Sequence, residues 1–216
     1  MSLSLLESTW RFRLLLSTLM LAIIGMPVMA ELTGLDTTPI ALTIIVPGVL
    51  IASGRSLCLK YLVPAVLVLM LVWFCTAYPT GKFESLHFIA VAALLLFSMG
   101  LTLNHLKDLV EIDQEALAAA AAVYLLFGLA CGAIYAAFAV LQPGGLEFAG
   151  MVGEPSLHDH IYFSFVVLTT IGFGDVIPKD ALNRSMAILE GIVGLFYMAV
   201  VISRLVSLYH QRRVNG

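Results

Sequence analysis

Seven consecutive residues, Thr169-Thr170-Ile171-Gly172-Phe173-Gly174-Asp175, are the part of the chain whose types and spacing can do chemistry. Successive backbone carbonyls face one axis only if alternate residues take angles near or beyond the left-handed region. Gly172 and Gly174 reach those angles without a Cβ clash. The run therefore permits a stack of oxygens. Asp175 follows the stack with a carboxylate, which attracts cations by charge.

The elements around the run must hold it in place. Ahead of it lies His160–Leu168, HIYFSFVVL, too apolar for water and too short to cross a membrane. A helix over 159–169 would be about 16 Å long, roughly half a bilayer. It must re-enter from the side it left. Its start carries Pro155, then Ser156 as N-cap, with Asp159 in capping-box spacing. The C-terminal end of this half-helix, near Thr169, points toward the membrane centre, where its partial negative charge favours a cation. Irregular backbone at that depth persists only where protein buries it or a wet cavity uses it, so the run should line an aqueous path.

In this context the run resembles the signature of the potassium channel family, T-x-G-[YF]-G-D placed between a re-entrant pore helix and an inner helix. The resemblance is close over 156–209 and topological before that. It implies a selectivity filter in which the carbonyls of Thr170, Ile171, Gly172 and Phe173, with the Thr170 hydroxyl, replace water around K⁺. It also implies Gly174 as part of the filter, Asp175 at the outer mouth, and Thr169 and Val166 as pore-helix and filter support. One chain holds one such segment and four are needed for a ring, so a homotetramer follows. The sequence departs from the common pattern in three places. Phe173 replaces the more usual Tyr, which removes a hydroxyl able to tether the filter. Val166 stands where some relatives carry a carboxylate. A Trp pair often found earlier in the pore helix is read here as Phe163 and Ser164.

The rest of the chain fits a membrane. Of 216 residues, 61% are hydrophobic and 12% charged, against roughly 25% charged in soluble domains. At about 20 residues per crossing the length holds about six spans. Apolar stretches fall at 14–29, 39–53, 62–78, 86–103, 116–141 and 186–208. Arg11 and Arg13 before the first, and Val28-Met29-Ala30 at its end, mimic a cleavable signal, but it is read as a span. The expected fold is thus an all-α membrane protein of six transmembrane helices per subunit, with a re-entrant pore helix between the fifth and sixth. Residues 1–115 would form a four-helix domain like a voltage sensor, with its linker, and 116–216 the pore domain. Putting both termini in the cytoplasm places eight basic residues inside (Arg11, Arg13, Arg55, Lys60, Lys107, Arg204, Arg212 and Arg213) against Lys82, Lys179 and Arg184 outside. A plasma membrane, prokaryotic inner membrane by its compactness, is the expected location, with lipid as the surrounding partner.

The composition also excludes functions. The formal net charge of −3 offers no basic surface for nucleic acid. Cys58, Cys75 and Cys131 lack metal-site spacing and read as small core hydrophobes. No phosphate-cradling G-x-x-x-x-G-K-[ST], H-E-x-x-H or G-x-S-x-G is present, so no enzyme and no cofactor beyond bound K⁺ is expected. The alternatives are a poorly selective monovalent cation channel, a membrane subunit of a cation transporter, and a non-conducting scaffold.

The six-helix branch of the family often carries arginines in its fourth helix, yet 86–103 holds no Arg or Lys. Moving one charge through 100 mV is worth about 2.3 kcal/mol, and steep voltage dependence needs several per subunit. Little or no voltage gating is expected. Gly191 and Gly194 in the sixth span are read as close packing first and as a candidate gating hinge second. Glu190 is placed at the outer end of that span with a hydrogen-bonded partner behind the filter. Asp108, Glu111, Asp113 and Glu115, alternating with Leu106, Leu109, Val110 and Ile112, are read as a solvated face on an interfacial helix. The outer loop 142–153 is read as a turret, and His158, Asp159 and His160 as part of the pore-helix cap rather than a metal site. Replacing Gly172 or Gly174 by Ala should abolish K⁺ current while expression persists, because Ala resists the backbone angles required; normal current in either variant would remove the filter assignment.

Overall fold

The computed structural model describes residues 11–33, 45, 82–108, 114–151, 153–203 and 207. The helices are α1 (Arg11–Thr33), α2 (Lys82–Asp108), α3 (Gln114–Leu141), α4 (Leu157–Leu168) and α5 (Ala181–Phe196), the last continued by a π-helical segment, Tyr197–Ile202. Two short strands, β1 (Leu146–Phe148) and β2 (Val176–Pro178), join them. Among the described residues four helices are long and apolar enough to cross a membrane, 11–32, 85–104, 114–141 and 181–202. They correspond to the first, fourth, fifth and sixth stretches expected. The second apart from Ile45, the third, the basic residues Arg55, Lys60, Arg204, Arg212 and Arg213, and the cysteines Cys58 and Cys75 lie outside the described residues.

The bundle is organised on α3. Its first half is a near-continuous run of alanine, 118–122, the strongest helix former, and these side chains are small enough to let neighbouring backbones approach. Over an 18-residue apolar stretch of this helix, 72% is buried. α2 packs along it antiparallel: Ile89, Ala92 and Leu96 line one cavity together with Ile134, Ala137 and Leu141. α1 runs parallel to α3, because their first turns meet. Glu115 accepts from the Phe12 backbone N–H at 2.8 Å and pairs with Arg13 at 3.3 Å.

That contact corrects the linker reading for Glu115. The residue is 7% exposed and joins α1 to α3, so it is not part of a solvated acidic face. The 109–113 stretch of that linker lies outside the described residues. The mostly helical fold fits the all-α expectation, with one short strand pair added to it. β1 and β2 pair antiparallel, with Leu146 opposite Pro178 and Phe148 opposite Val176, so the turret is bound by a ladder to the chain just after Asp175. A Glu147–Lys179 ion pair lies across the same ladder. Finally, the last span begins at Ala181 rather than at 186. Asp180 caps it, its carboxylate accepting from the Asn183 N–H at 2.7 Å, and that bond, with a second from the Asn183 side chain, holds the Asp180 carboxyl below the usual carboxylate range.

Two glycines let α4 lie against α3. A Cβ on Gly132 would sit 2.7 Å from the Ile161 Cα, and one on Gly128 would sit 2.8 Å from the Phe165 ring. The first neighbour is backbone and cannot swing away. Gly132→Ala should therefore lower stability in detergent by about 1–3 kcal/mol through overpacking, read as a fall in thermal midpoint. Gly100→Ala, where nothing lies within 4 Å, should leave the midpoint unchanged or raise it.

Candidate functional site: the re-entrant segment 156–175

α4 begins with the capping box expected of Ser156 and Asp159. The Ser156 hydroxyl accepts from the Asp159 N–H at 3.4 Å, and the Asp159 carboxylate accepts from the Ser156 N–H at 2.7 Å. His160 adds its Nδ1 to the Ser156 carbonyl at 2.7 Å and sets its ring edge-on to Phe148 of β1. So Asp159 and His160 serve the cap, and among the described residues no group of three or more His, Cys, Asp or Glu is placed to hold a metal ion.

The helix spans 157–168, two residues earlier at its start than expected, or about 18 Å. It runs antiparallel to α3, from Ile161 beside Gly132 to Phe165 beside Gly128, and ends where the Tyr124 hydroxyl donates to the Leu168 carbonyl at 3.0 Å. Tyr124 is the eleventh of the 28 residues of α3. The half-helix therefore stops near mid-height of the bundle.

The chain then turns so that its N–H groups fold back on α4. Thr169 N–H donates to Phe165, Thr170 to Val167, and both Ile171 and Gly172 to the Val166 carbonyl, at 3.0, 2.9, 3.0 and 3.4 Å. The Thr169 hydroxyl also bonds the Phe165 carbonyl at 2.5 Å. The carbonyls of Thr170, Ile171, Gly172 and Phe173 accept no hydrogen bond from any described residue. Positive φ occurs at alternate positions, Thr170 at 59°, Gly172 at 61° and Gly174 at 79°. The sequence reading located the two glycines; Thr170 is the addition, a non-glycine residue held in the left-handed region, where strain is stored. Residues 169 to 174 are exposed on the single chain.

Asp175 is fixed on three sides. Tyr162 donates its hydroxyl to Oδ2 at 2.6 Å, Val176 N–H donates to Oδ1 at 3.1 Å, and the Asp175 carbonyl accepts from Ala149 at 2.8 Å. The carboxylate beside it holds the Tyr162 phenol above the usual tyrosine range. This tether was not read from the sequence, which noted only the hydroxyl missing at Phe173. Phe163 packs edge-on against Tyr135, with ring centroids 4.9 Å apart. The available signal was the spacing of Tyr162, thirteen residues before Asp175.

Behind the turn stands α5. Gly194 brings it against the end of α4: a Cβ there would lie 2.6 Å from Leu168 Cδ1 and 2.9 Å from the Leu168 carbonyl. Gly191 has more room, its nearest neighbours being Val167 atoms at 3.9 Å. Gly194 thus serves the close packing given first place in the sequence reading. Glu190 lies in the tenth position of α5, not at its outer end, because the helix starts at Ala181. It has the partners expected of a carboxyl at this depth: Tyr135 at 2.8 Å and Ser164.

Residues 122–211 match the family model described as Ion channel. The matched stretch holds most of α3, all of α4, the turn after it and α5, so it extends the likeness beyond 156–209 to the outer helix. No curated protein and no solved structure matches the chain. The match and the apolar helices support an ion channel in a membrane.

Tyr162→Phe removes the tether and keeps the ring. Because the bond needs the protonated phenol and its titration is displaced upward, the tether persists through the ordinary tyrosine range, near pH 10, and is lost as pH rises above it. The tyrosinate absorbance of wild type minus Tyr162→Phe should thus appear above the titration of free tyrosine, and sustained current in the variant should decay severalfold faster than in wild type.

Proposed function

We propose that this protein is a potassium-selective channel of four identical subunits, which conducts K⁺ passively across the plasma membrane with little or no dependence on voltage. The observation that carries the proposal is the pairing pattern of 169–173. The N–H groups of 169–172 are bonded to the end of α4, and the carbonyls of Thr170, Ile171, Gly172 and Phe173 have no partner among the described residues, on backbone whose φ alternates in sign. An oxygen-only lining with its donors turned away suits a dehydrated cation and rejects an anion. The half-buried Asp175 carboxylate and the C-terminal end of α4 add negative potential along the same path.

Assembly is supported by what one chain leaves bare. Only 11% of an 18-residue apolar stretch within 181–202 is buried, against 72% of such a stretch within 114–141. Ile188, Leu189, Leu195 and Phe196 on α5, and Ile171 and Phe173 in the filter, are each more than half exposed. A ring of four copies gives the carbonyls a common axis and covers part of this surface. Orientation with both termini in the cytoplasm is supported by the parallel start of α1 and α3, as four crossings before the fifth helix require, with Arg11 and Arg13 at the shared end. Gly191 and the π-helical segment that begins three residues beyond Gly194 are where we place a gating bend, since π-turns interrupt the regular ladder and occur at functional sites. α2 carries no Arg or Lys over 83–106, so it moves no gating charge across the field.

The test is the purified protein in a planar bilayer with K⁺ on one side and Na⁺ on the other. The reversal potential should lie close to the K⁺ limit, with open probability nearly flat in voltage and crosslinking that stops at four subunits. A reversal near zero would make the protein a general cation pore, and steep voltage dependence would overturn the reading of α2.

A further inference from the structure

Glu190 is 3% exposed and Ser164 fully buried, and their hydrogen bonds contain an imbalance. The Ser164 hydroxyl meets two oxygens, the Gly128 carbonyl at 2.7 Å and Glu190 Oε1. It has one proton, and the carbonyl can only accept. If Glu190 were a carboxylate, both contacts would demand that single proton and one would be oxygen against bare oxygen. One arrangement satisfies all of them. Glu190 carries a proton on Oε1 and donates it to Ser164, Ser164 donates to Gly128, and Tyr135 donates to Oε2.

The surroundings agree. The groups that face the Glu190 carboxyl are uncharged: Cys131 and Tyr135 in hydrogen-bond contact from α3, Ser164 from α4, and Tyr124 further along α3. Among the described residues no Lys, Arg or His pairs with it. Arg184, the basic residue of α5, lies six positions back and donates to the Pro178 carbonyl. An unpaired carboxylate at membrane depth is costly, whereas the acid form leaves no charge there.

We infer that Glu190 is a positioning residue that acts as a neutral acid: its proton links α5 through Ser164 of α4 to the α3 backbone at Gly128. Ser164 lies two residues before Val166, whose carbonyl holds the N–H groups of Ile171 and Gly172. The link therefore sets the height and rotation of the segment that carries the carbonyl stack. This inference rests on the channel reading above for its consequence, but not for the protonation itself.

The experiment combines infrared spectroscopy with bilayer recording on the full-length protein. Wild type at neutral pH should show a carbonyl stretch of a protonated carboxylic acid that is absent from Glu190→Gln. Glu190→Gln, whose amide supplies the same donor to Ser164 and the same acceptor to Tyr135, should keep wild-type K⁺ over Na⁺ selectivity. Glu190→Leu fills the space but leaves the Tyr135 hydroxyl without its acceptor and Ser164 without its donor; it should assemble as wild type does by size-exclusion chromatography and lose about tenfold in selectivity. Absence of the band from wild type overturns the neutral acid. Wild-type selectivity in Glu190→Leu, or a loss in Glu190→Gln equal to that in Glu190→Leu, overturns the positioning role. If wild type itself passes no ion, the channel reading fails, and the infrared band still decides the state of Glu190.

Discussion

A backbone that leaves helical geometry inside a membrane must place every N–H it exposes, because lipid offers no partner. In this protein the Val166 carbonyl meets that requirement by receiving both Ile171 and Gly172. With Thr169 and Thr170 bonded one turn back, four consecutive donors are folded onto the end of a half-helix. The carbonyls that follow are then free to face elsewhere. The left-handed angles at Thr170, Gly172 and Gly174 are the conformational consequence, and two of the three fall on the residue that adopts them most readily.

The rest of the fold keeps that half-helix from moving. At the outer end it is fixed by the Ser156–Asp159 box and by His160 against β1. Along its length Gly128 and Gly132 admit Phe165 and Ile161 close to α3. At its inner end Gly194 admits Leu168 to α5, and Tyr124 holds the last carbonyl. Glu190 joins all three helices between those points. After the turn, Tyr162 and the Ala149 N–H hold Asp175 on either side, and β1–β2 ties the 146–148 segment to the same stretch. Small residues thus determine distance, and buried polar groups determine register, as expected where burial of apolar surface alone does not discriminate between helix faces.

The two long helices nearer the N-terminus play a different part in the described structure. α1 and α2 cover the face of α3 that α4 and α5 leave open, and α1 is anchored by Glu115 with Arg13 and the Phe12 N–H. The span 85–104 of α2 holds no Arg or Lys. The contribution of α1 and α2 is to bury the outer helix, while α5 keeps an uncovered apolar wall.

Some features were legible from residue order because they depend on neighbours a few positions apart. The cap at Ser156 and Asp159, the half-bilayer length of the helix after it, the glycines of the turn and the apolar spans all follow from local spacing and composition. The contacts of Tyr162 with Asp175, Glu190 with Ser164 and Tyr135, and Glu115 with Arg13 do not. They join residues 13 to 102 positions apart and depend on how each helix is rotated about its axis. A helix that is apolar on every side carries no stripe from which that rotation can be read. The strand pair was hidden for a related reason, since three-residue strands acquire their identity only from each other. The sequence by itself determined that a re-entrant, glycine-alternating turn sits between two membrane helices. The tertiary structure decided which buried groups hold that turn, because only packing brings their donors and acceptors within reach.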